Sequence, residues 1–231
     1  MTSPRASVNP KSGRTPGPVW TIVVAAGSGA RFGAPKQFLD LAGIPVVERS
    51  VATAARHSDG VVVVTPVEPP EGMTPITAPP GVEFRSVTGA DSRTGSVRRG
   101  LAAVPESAAV ILVHDAARPL ASDAVYARVI AAVAGGADAV TPAVSVADSL
   151  RRRSGGVVDR DDVVAVQTPQ GFAAEALRRA HAGGEEATDD VTVVENDGGT
   201  VVVVDGDRRN LKLTTPLDMD LALHFLEDDT A

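Results

Sequence analysis

The residues Ala25-Ala26-Gly27-Ser28-Gly29-Ala30-Arg31-Phe32-Gly33-Ala34-Pro35-Lys36-Gln37 combine side-chain types and spacing that could do chemistry on phosphate. They follow Trp20-Thr21-Ile22-Val23-Val24, an apolar run that reads as a buried strand. A glycine-rich turn leaving such a strand exposes backbone N–H groups that can cradle a polyphosphate. Arg31 adds a cation suited to forked contacts and Lys36 a point charge. The plain structural alternative is a tight strand-to-helix turn with two solvated basic residues. A second apolar run, Val110-Ile111-Leu112-Val113, ends in His114-Asp115-Ala116-Ala117-Arg118-Pro119. A carboxylate at that strand end, Asp115, can hold Mg²⁺ against phosphate oxygens. It could equally cap the following helix and pair with Arg118. His114 reads as a packing or hydrogen-bonding group, and His57, His114, His181 and His224 show no metal-ligand spacing.

Four more segments stand out. Gly89-Ala90-Asp91-Ser92-Arg93-Thr94-Gly95-Ser96 opens a helix, where the Ser96 hydroxyl and the helix-start N–H groups could read a base or ribose. It is also a sufficient helix start without any ligand. Gln167-Thr168-Pro169-Gln170-Gly171-Phe172 reads as a similar loop, and Thr188-Asp189-Asp190 as a capping pattern. Asn210-Leu211-Lys212-Leu213-Thr214 sets a lysine between a strand and the last helix, where an anion contact is plausible. The dinucleotide fingerprint fails because Phe32 stands at its third glycine, and no Gly-Lys-Ser/Thr of the ATPase loop occurs. What remains resembles the loop of nucleotidyltransferases. No cysteine, Gly-x-Ser-x-Gly elbow or Ser–His pairing offers a covalent nucleophile, which fits direct displacement at phosphorus.

Positioning such residues calls for a sheet whose strand ends converge. Short apolar strands are predicted at Val19–Val24, Gly60–Thr65, Val82–Val87, Ala109–His114, Ala137–Pro142 and Thr200–Val204. Helices are predicted at Val46–His57, Ser92–Ala103, Ser122–Ala134 and Ala173–Ala182. Apolar strands alternating with helices indicate one α/β Rossmann-like domain over residues 19–231, with a mainly parallel sheet covered on both faces. Ligands in such folds bind beyond the carboxyl ends of the strands. The Ser154-Gly155-Gly156 turn suggests a protruding β-hairpin arm over about residues 145–167, whose edges a second subunit could cover. Residues 66–81 are proline-rich and read as a surface loop. Residues 1–18 lack an apolar central stretch and are expected to form a disordered tail. A net charge of −7 argues against nucleic acid, and no apolar run is long enough for a membrane span. A cytoplasmic location is expected.

Taken in order, Ala-Ala-Gly-Ser-Gly, Pro-Lys-Gln, Val-His-Asp-Ala-Ala-Arg-Pro, Gln-Thr-Pro-Gln, Thr-Asp-Asp and Asn-Leu-Lys-Leu-Thr resemble the 2-C-methyl-D-erythritol 4-phosphate cytidylyltransferases of the non-mevalonate isoprenoid pathway. The resemblance runs from about Val19 to Leu226. It implies a CTP- and Mg²⁺-dependent transfer of CMP onto a sugar-alcohol phosphate, releasing pyrophosphate, in a homodimer whose arms reach the partner's active site. By the same resemblance Arg31 and Lys36 stabilise charge at the α-phosphorus. Ala25, Ala26, Gly27, Gly29, Gly89, Arg93 and Ser96 form the nucleotide pocket, and Asp115 lies near the metal. Arg160 and Lys212 position the acceptor's phosphate, with Arg118, Thr168 and Thr188 at other acceptor positions. The chain departs from the family pattern in the short Phe32-Gly33-Ala34 link, which bears on the reach of Lys36. It also departs in Val24 for a common proline, Gly89-Ala90 for Gly-Gly, and Asp148-Ser149-Leu150-Arg151 for Asp-Thr-Ile-Lys. The alternatives are a ribitol 5-phosphate cytidylyltransferase, a nucleotide-binding regulatory protein without catalysis and, on a failed fingerprint, an NAD-dependent oxidoreductase.

Overall fold

A computed structural model describes residues 17–27, 29, 32–68, 75–184 and 186–228. Residues 1–16 of the expected tail and 69–74 of the proline-rich loop lie outside the described residues. In chain order the first half comprises β1 (Val19–Val24), β2 (Asp40–Leu41), β3 (Ile44–Pro45), α1 (Val46–Arg56), β4 (Gly60–Thr65), β5 (Glu83–Thr88), α2 (Arg93–Ala102), β6 (Val110–Asp115) and α3 (Asp123–Ala134). The second half comprises β7 (Ala139–Ser145), β8 (Leu150–Arg151), β9 (Val157–Val158), β10 (Val164–Val166), β11 (Gln170–Ala173), α4 (Ala174–Ala182), α5 (Asp190–Asn196), β12 (Val201–Asp205) and α6 (Pro216–Asp228). The six expected strands are β1, β4, β5, β6, β7 and β12; β1 and β4 have the expected ends, and the ends of the others are displaced slightly along the chain.

The main sheet runs β10-β7-β11-β6-β1-β4-β5, and β12 pairs with β7. β5, β4, β1 and β6 are mutually parallel, as are β7 and β12. The departure from the sequence reading is β11. Gln170-Gly171-Phe172, expected as loop, and Ala173, expected to open the helix, form a strand running antiparallel to both β6 and β7 between them. Its residues lack the apolar alternation of a half-exposed strand, and Gln170, Gly171 and Phe172 are buried on both faces.

Alternation along the strands sends neighbouring residues to opposite cores. Trp20 and Ile22 of β1 pack toward Val97 and Leu101 of α2 and toward Leu177 and Val194 of α4 and α5. Val19 and Val23 pack with Val47 and Val51 of α1 and with Val125, Tyr126 and Val129 of α3. A smaller cluster of Leu41, Val46, Leu213 and Ala222 anchors α6 beside the β2–β3 hairpin.

The arm has the expected hairpin form. β8 and β9 pair antiparallel around a turn in which Arg152 and Gly156 are hydrogen-bonded, with Gly155 and Gly156 at φ of 102° and 86°. Among the described residues, no helix is long and apolar enough to cross a membrane.

Candidate active site

A cavity of about 600 Å³ opens beyond the carboxyl ends of β1, β4, β5 and β6. Ala25, Ala26, Gly27 and Gly29 of the turn after β1 line it, with Lys36 and Gln37 beyond. Pro66 and Val67 enter after β4, Gly89 to Arg93 and Ser96 after β5, Asp115 at the end of β6 with Ala117 just beyond it, and Lys212 from the segment before α6.

Local backbone geometry explains the glycines that matter. Gly29 has φ of +69°, and a Cβ there would lie 1.9 Å from the Ala34 carbonyl oxygen, so the loop can close back on Gly29 only without a side chain. That closure is held by Phe32 and Gly33 N–H donating to the Gly29 carbonyl. A Cβ on Gly89 would lie 2.4 Å from the Ala26 Cβ, so the β1 and β5 loops meet at van der Waals contact. The short link therefore still delivers Lys36 to the cavity wall, where the residue is 8% exposed. Arg31 lies outside the described residues.

Asp115 organises the charges. Lys212 Nζ donates to its Oδ2 at 2.6 Å, and Arg93 Nε and Nη2 both stand 3.5 Å from Oδ1. Burial pushes the Asp115 carboxyl up, but Arg93 and Lys212 outweigh it and hold the group well below the usual carboxylate range. Arg93 in turn donates from Nη1 at 2.7 Å to Asp190, a fully buried carboxylate at the start of α5. Asp189 caps that helix by accepting from the Thr192 N–H, which meets the capping expectation.

The wall behind Asp115 is a neutral hydrogen-bonded chain. The Asp115 N–H donates to Thr168 Oγ1, the Thr168 hydroxyl bonds His114 Nδ1, and His114 Nε2 donates to the Arg118 carbonyl. Burial pushes the His114 pKa down to about 4, with Asp115 and the Arg118 carbonyl opposing it and the Arg118 charge adding to it. His114 is thus a hydrogen-bonding residue, as its sequence context indicated.

The structure gathers Ala25, Ala26, Gly27, Gly29, Lys36, Gly89, Arg93, Ser96, Asp115 and Lys212 around one cavity. Ser96 lines it, but its hydroxyl is engaged by the Ala90 N–H and carbonyl at 3.0 and 3.2 Å, so it shapes the Gly89-Ala90 turn instead of standing open to a base. Arg118 and Thr168 do not line the cavity. Arg118 donates to the Asn210 and Val166 carbonyls, and Thr168 belongs to the buried chain just described. Thr188 is exposed beside the α5 cap, and Arg160 is exposed on the arm, donating to the Ala147 carbonyl at 3.0 Å. Sequence reasoning missed Asp190 as the partner of Arg93 and Arg99, whose guanidinium donates to the Gly89 carbonyl at 2.6 Å. Both bridge segments far apart in the chain or in different turns, and no local pattern marks such pairings.

Comparison with known proteins gives a consistent result. Residues 19–228 match the family model of 2-C-methyl-D-erythritol 4-phosphate cytidylyltransferase. A protein of Nocardia farcinica (strain IFM 10152) bearing that name is 43% identical over 220 residues, covering 91% of this chain and 95% of the relative. The solved 2-C-methyl-D-erythritol 4-phosphate cytidylyltransferase of Thermus thermophilus is 34% identical, with a TM-score of 0.74 over 90% of this chain and 98% of that one. The 4-diphosphocytidyl-2C-methyl-D-erythritol synthase of Anaerococcus prevotii DSM 20548 is 27% identical, with a TM-score of 0.78 and the same coverage.

Proposed function

The chain belongs to the 2-C-methyl-D-erythritol 4-phosphate cytidylyltransferase family, and from that premise we propose that its strand-end cavity transfers CMP from CTP to 2-C-methyl-D-erythritol 4-phosphate. The observation that carries this reading is the convergence of a glycine-rich turn, Lys36, Arg93 and Lys212 on one cavity. An oxygen of the acceptor's phosphate attacks the α-phosphorus of CTP in line. The bond from that phosphorus to the bridging oxygen breaks, and pyrophosphate leaves with the electron pair. Such a transfer needs little covalent participation by protein, and positioning with fixed cations supplies most of the rate. Lys36 and, from its place in the loop sequence, Arg31 meet the charge gathering at the α-phosphorus. The backbone of the 25–29 and 89–96 segments holds the nucleotide, and Lys212 steadies phosphate from the opposite wall.

A divalent cation is part of the proposal. Among the described residues no group of three or more His, Cys, Asp or Glu could hold a metal. The donor chemistry fits Mg²⁺ nonetheless, because Asp115 is an ionised carboxylate on the cavity wall and Mg²⁺ commonly takes one or two carboxylates plus substrate phosphates. Bound there, the ion would neutralise triphosphate charge.

We extend the proposal to a homodimer built on the arm. Val166 pairs with Ala143, Val164 with Ser145 and Val203 with Thr141, which sets three valines on one face of β10, β7 and β12. These valines are 45–55% exposed, and Val157 on the arm is 66% exposed. A second copy covering that face would bring Arg160 toward its partner's cavity, where the residue would hold the acceptor's phosphate. Arg118, Thr168 and Thr188 act in this scheme by supporting the acceptor side. Two phosphorylated substrates, which do not cross a lipid bilayer unaided, support a cytoplasmic location.

The test is pyrophosphate release with CTP and either 2-C-methyl-D-erythritol 4-phosphate or ribitol 5-phosphate. Turnover with the first acceptor and CTP, far above that with ATP or GTP, is expected. Preference for ribitol 5-phosphate or for a purine triphosphate would overturn the reading.

A further inference from the structure

We infer that Gln37 is a positioning residue for nucleotide binding, an inference that rests on the reading of the cavity as a CTP site. Gln37 is 4% exposed, and its side-chain amide nitrogen donates to two carbonyls of the glycine-rich turn, Ala25 at 2.8 Å and Gly27 at 2.7 Å. A carbonyl can only accept, so the nitrogen end of the amide must face the turn. The peptide unit is planar and trans, and its N–H points opposite to its C=O. Drawing the Ala25 carbonyl toward Gln37 therefore turns the Ala26 N–H the other way. Among the described residues no acceptor receives that N–H, and Ala26 lines the cavity. Ala25 itself is tied to β4, its N–H donating to the Val64 carbonyl at 2.8 Å. Gln37 thus fixes the orientation of an anion-facing peptide group. As the neighbour of Lys36 it also holds the lysine-bearing turn at a set distance from that group.

Gln37→Glu keeps the shape and removes both N–H donors. It is expected to weaken CTP binding and raise KM for CTP by about tenfold or more, on the order expected for two lost hydrogen bonds. The KM for the acceptor should hold. As pH falls and the introduced carboxyl protonates, one donor returns, so CTP affinity relative to wild type should recover in part. Gln37→Met removes the donors without adding charge and should weaken CTP binding with no such pH dependence, which also covers the case in which the glutamate variant fails to fold. CTP affinity equal to wild type in a folded variant, even with a lowered Tm, would overturn the inference. Wild type is measured alongside, and its failure to bind or use CTP would instead overturn the proposed function.

Discussion

Lys36 lines the cavity from a nearly buried position, so truncating it removes a fixed charge from a place where water can replace it only poorly. Lys36→Ala is expected to lower kcat on the order of 10²-fold or more, with a smaller change in substrate KM, because in the proposed transfer the charge it meets develops in the transition state. Steady-state kinetics would show this, and a near-normal kcat would remove Lys36 from the catalytic group. His114 gives a prediction about pH. Burial pushes its folded pKa from the ordinary 6.5 down to about 4, so between these values the unfolded chain binds the extra proton. Stability should therefore fall as pH drops from about 6.5 to about 4, by roughly 3 kcal/mol from this residue. Asp115 acts in a lower window, since its depressed carboxyl costs stability only once pH passes below the unfolded carboxylate value near 4. Denaturant titrations across this range should show a slope that flattens in His114→Gln.

Loops and strands respond differently, because what constrains them is contact across the cavity. Gly89→Ala would drive a methyl into Ala26, forcing the β1 and β5 loops apart. It is expected to cost about 1–3 kcal/mol, as overpacking does, and to raise KM for CTP. Gly27→Ala makes the contrast, since a Cβ there meets no described atom within 4 Å. Its Tm should stay close to wild type, and equal melting of the two variants would refute the contact argument. The same contrast separates what was legible in the sequence from what was not. Runs such as Val61-Val62-Val63-Val64 announce buried strands because every position is apolar, and the residues after them are where the cavity lining lies. β11 was not legible, because a strand covered on both faces by its neighbours can carry Gln170 and Gly171. The arm was legible from Ser154-Gly155-Gly156, whose glycines take the positive φ that the turn requires. Asp190 beneath Arg93 was not, since the pair joins residues 97 apart.

At the scale of the whole molecule, the proposed dimer makes the sites interdependent. If Arg160 serves the partner's cavity, Arg160→Ala should raise KM for the acceptor and leave CTP binding nearly intact. Mixing it with Lys36→Ala, under conditions of subunit exchange, would place both lesions in one site and leave the other wild type. Activity should then return to roughly half of wild type per heterodimer, as two-fold symmetry requires. Exchange without recovery, or a fully active monomer, would refute the shared site. The foot of the arm constrains how this chain can change. Gln167 binds the backbone of Asp207 and Asn210, Asn210 binds the Thr168 carbonyl, and Thr168 receives the Asp115 N–H. The tip at residues 152–156 is exposed and carries only its own turn. Within one chain, changes in the length or side chains of the tip therefore leave the strand-end carboxylate in place, whereas in the proposed dimer they would act on the partner contact. A single residue inserted between Val166 and Thr168 would slip the whole ladder under Asp115, so one arm has a tip uncoupled from its own chain's carboxylate and a foot tied directly to it.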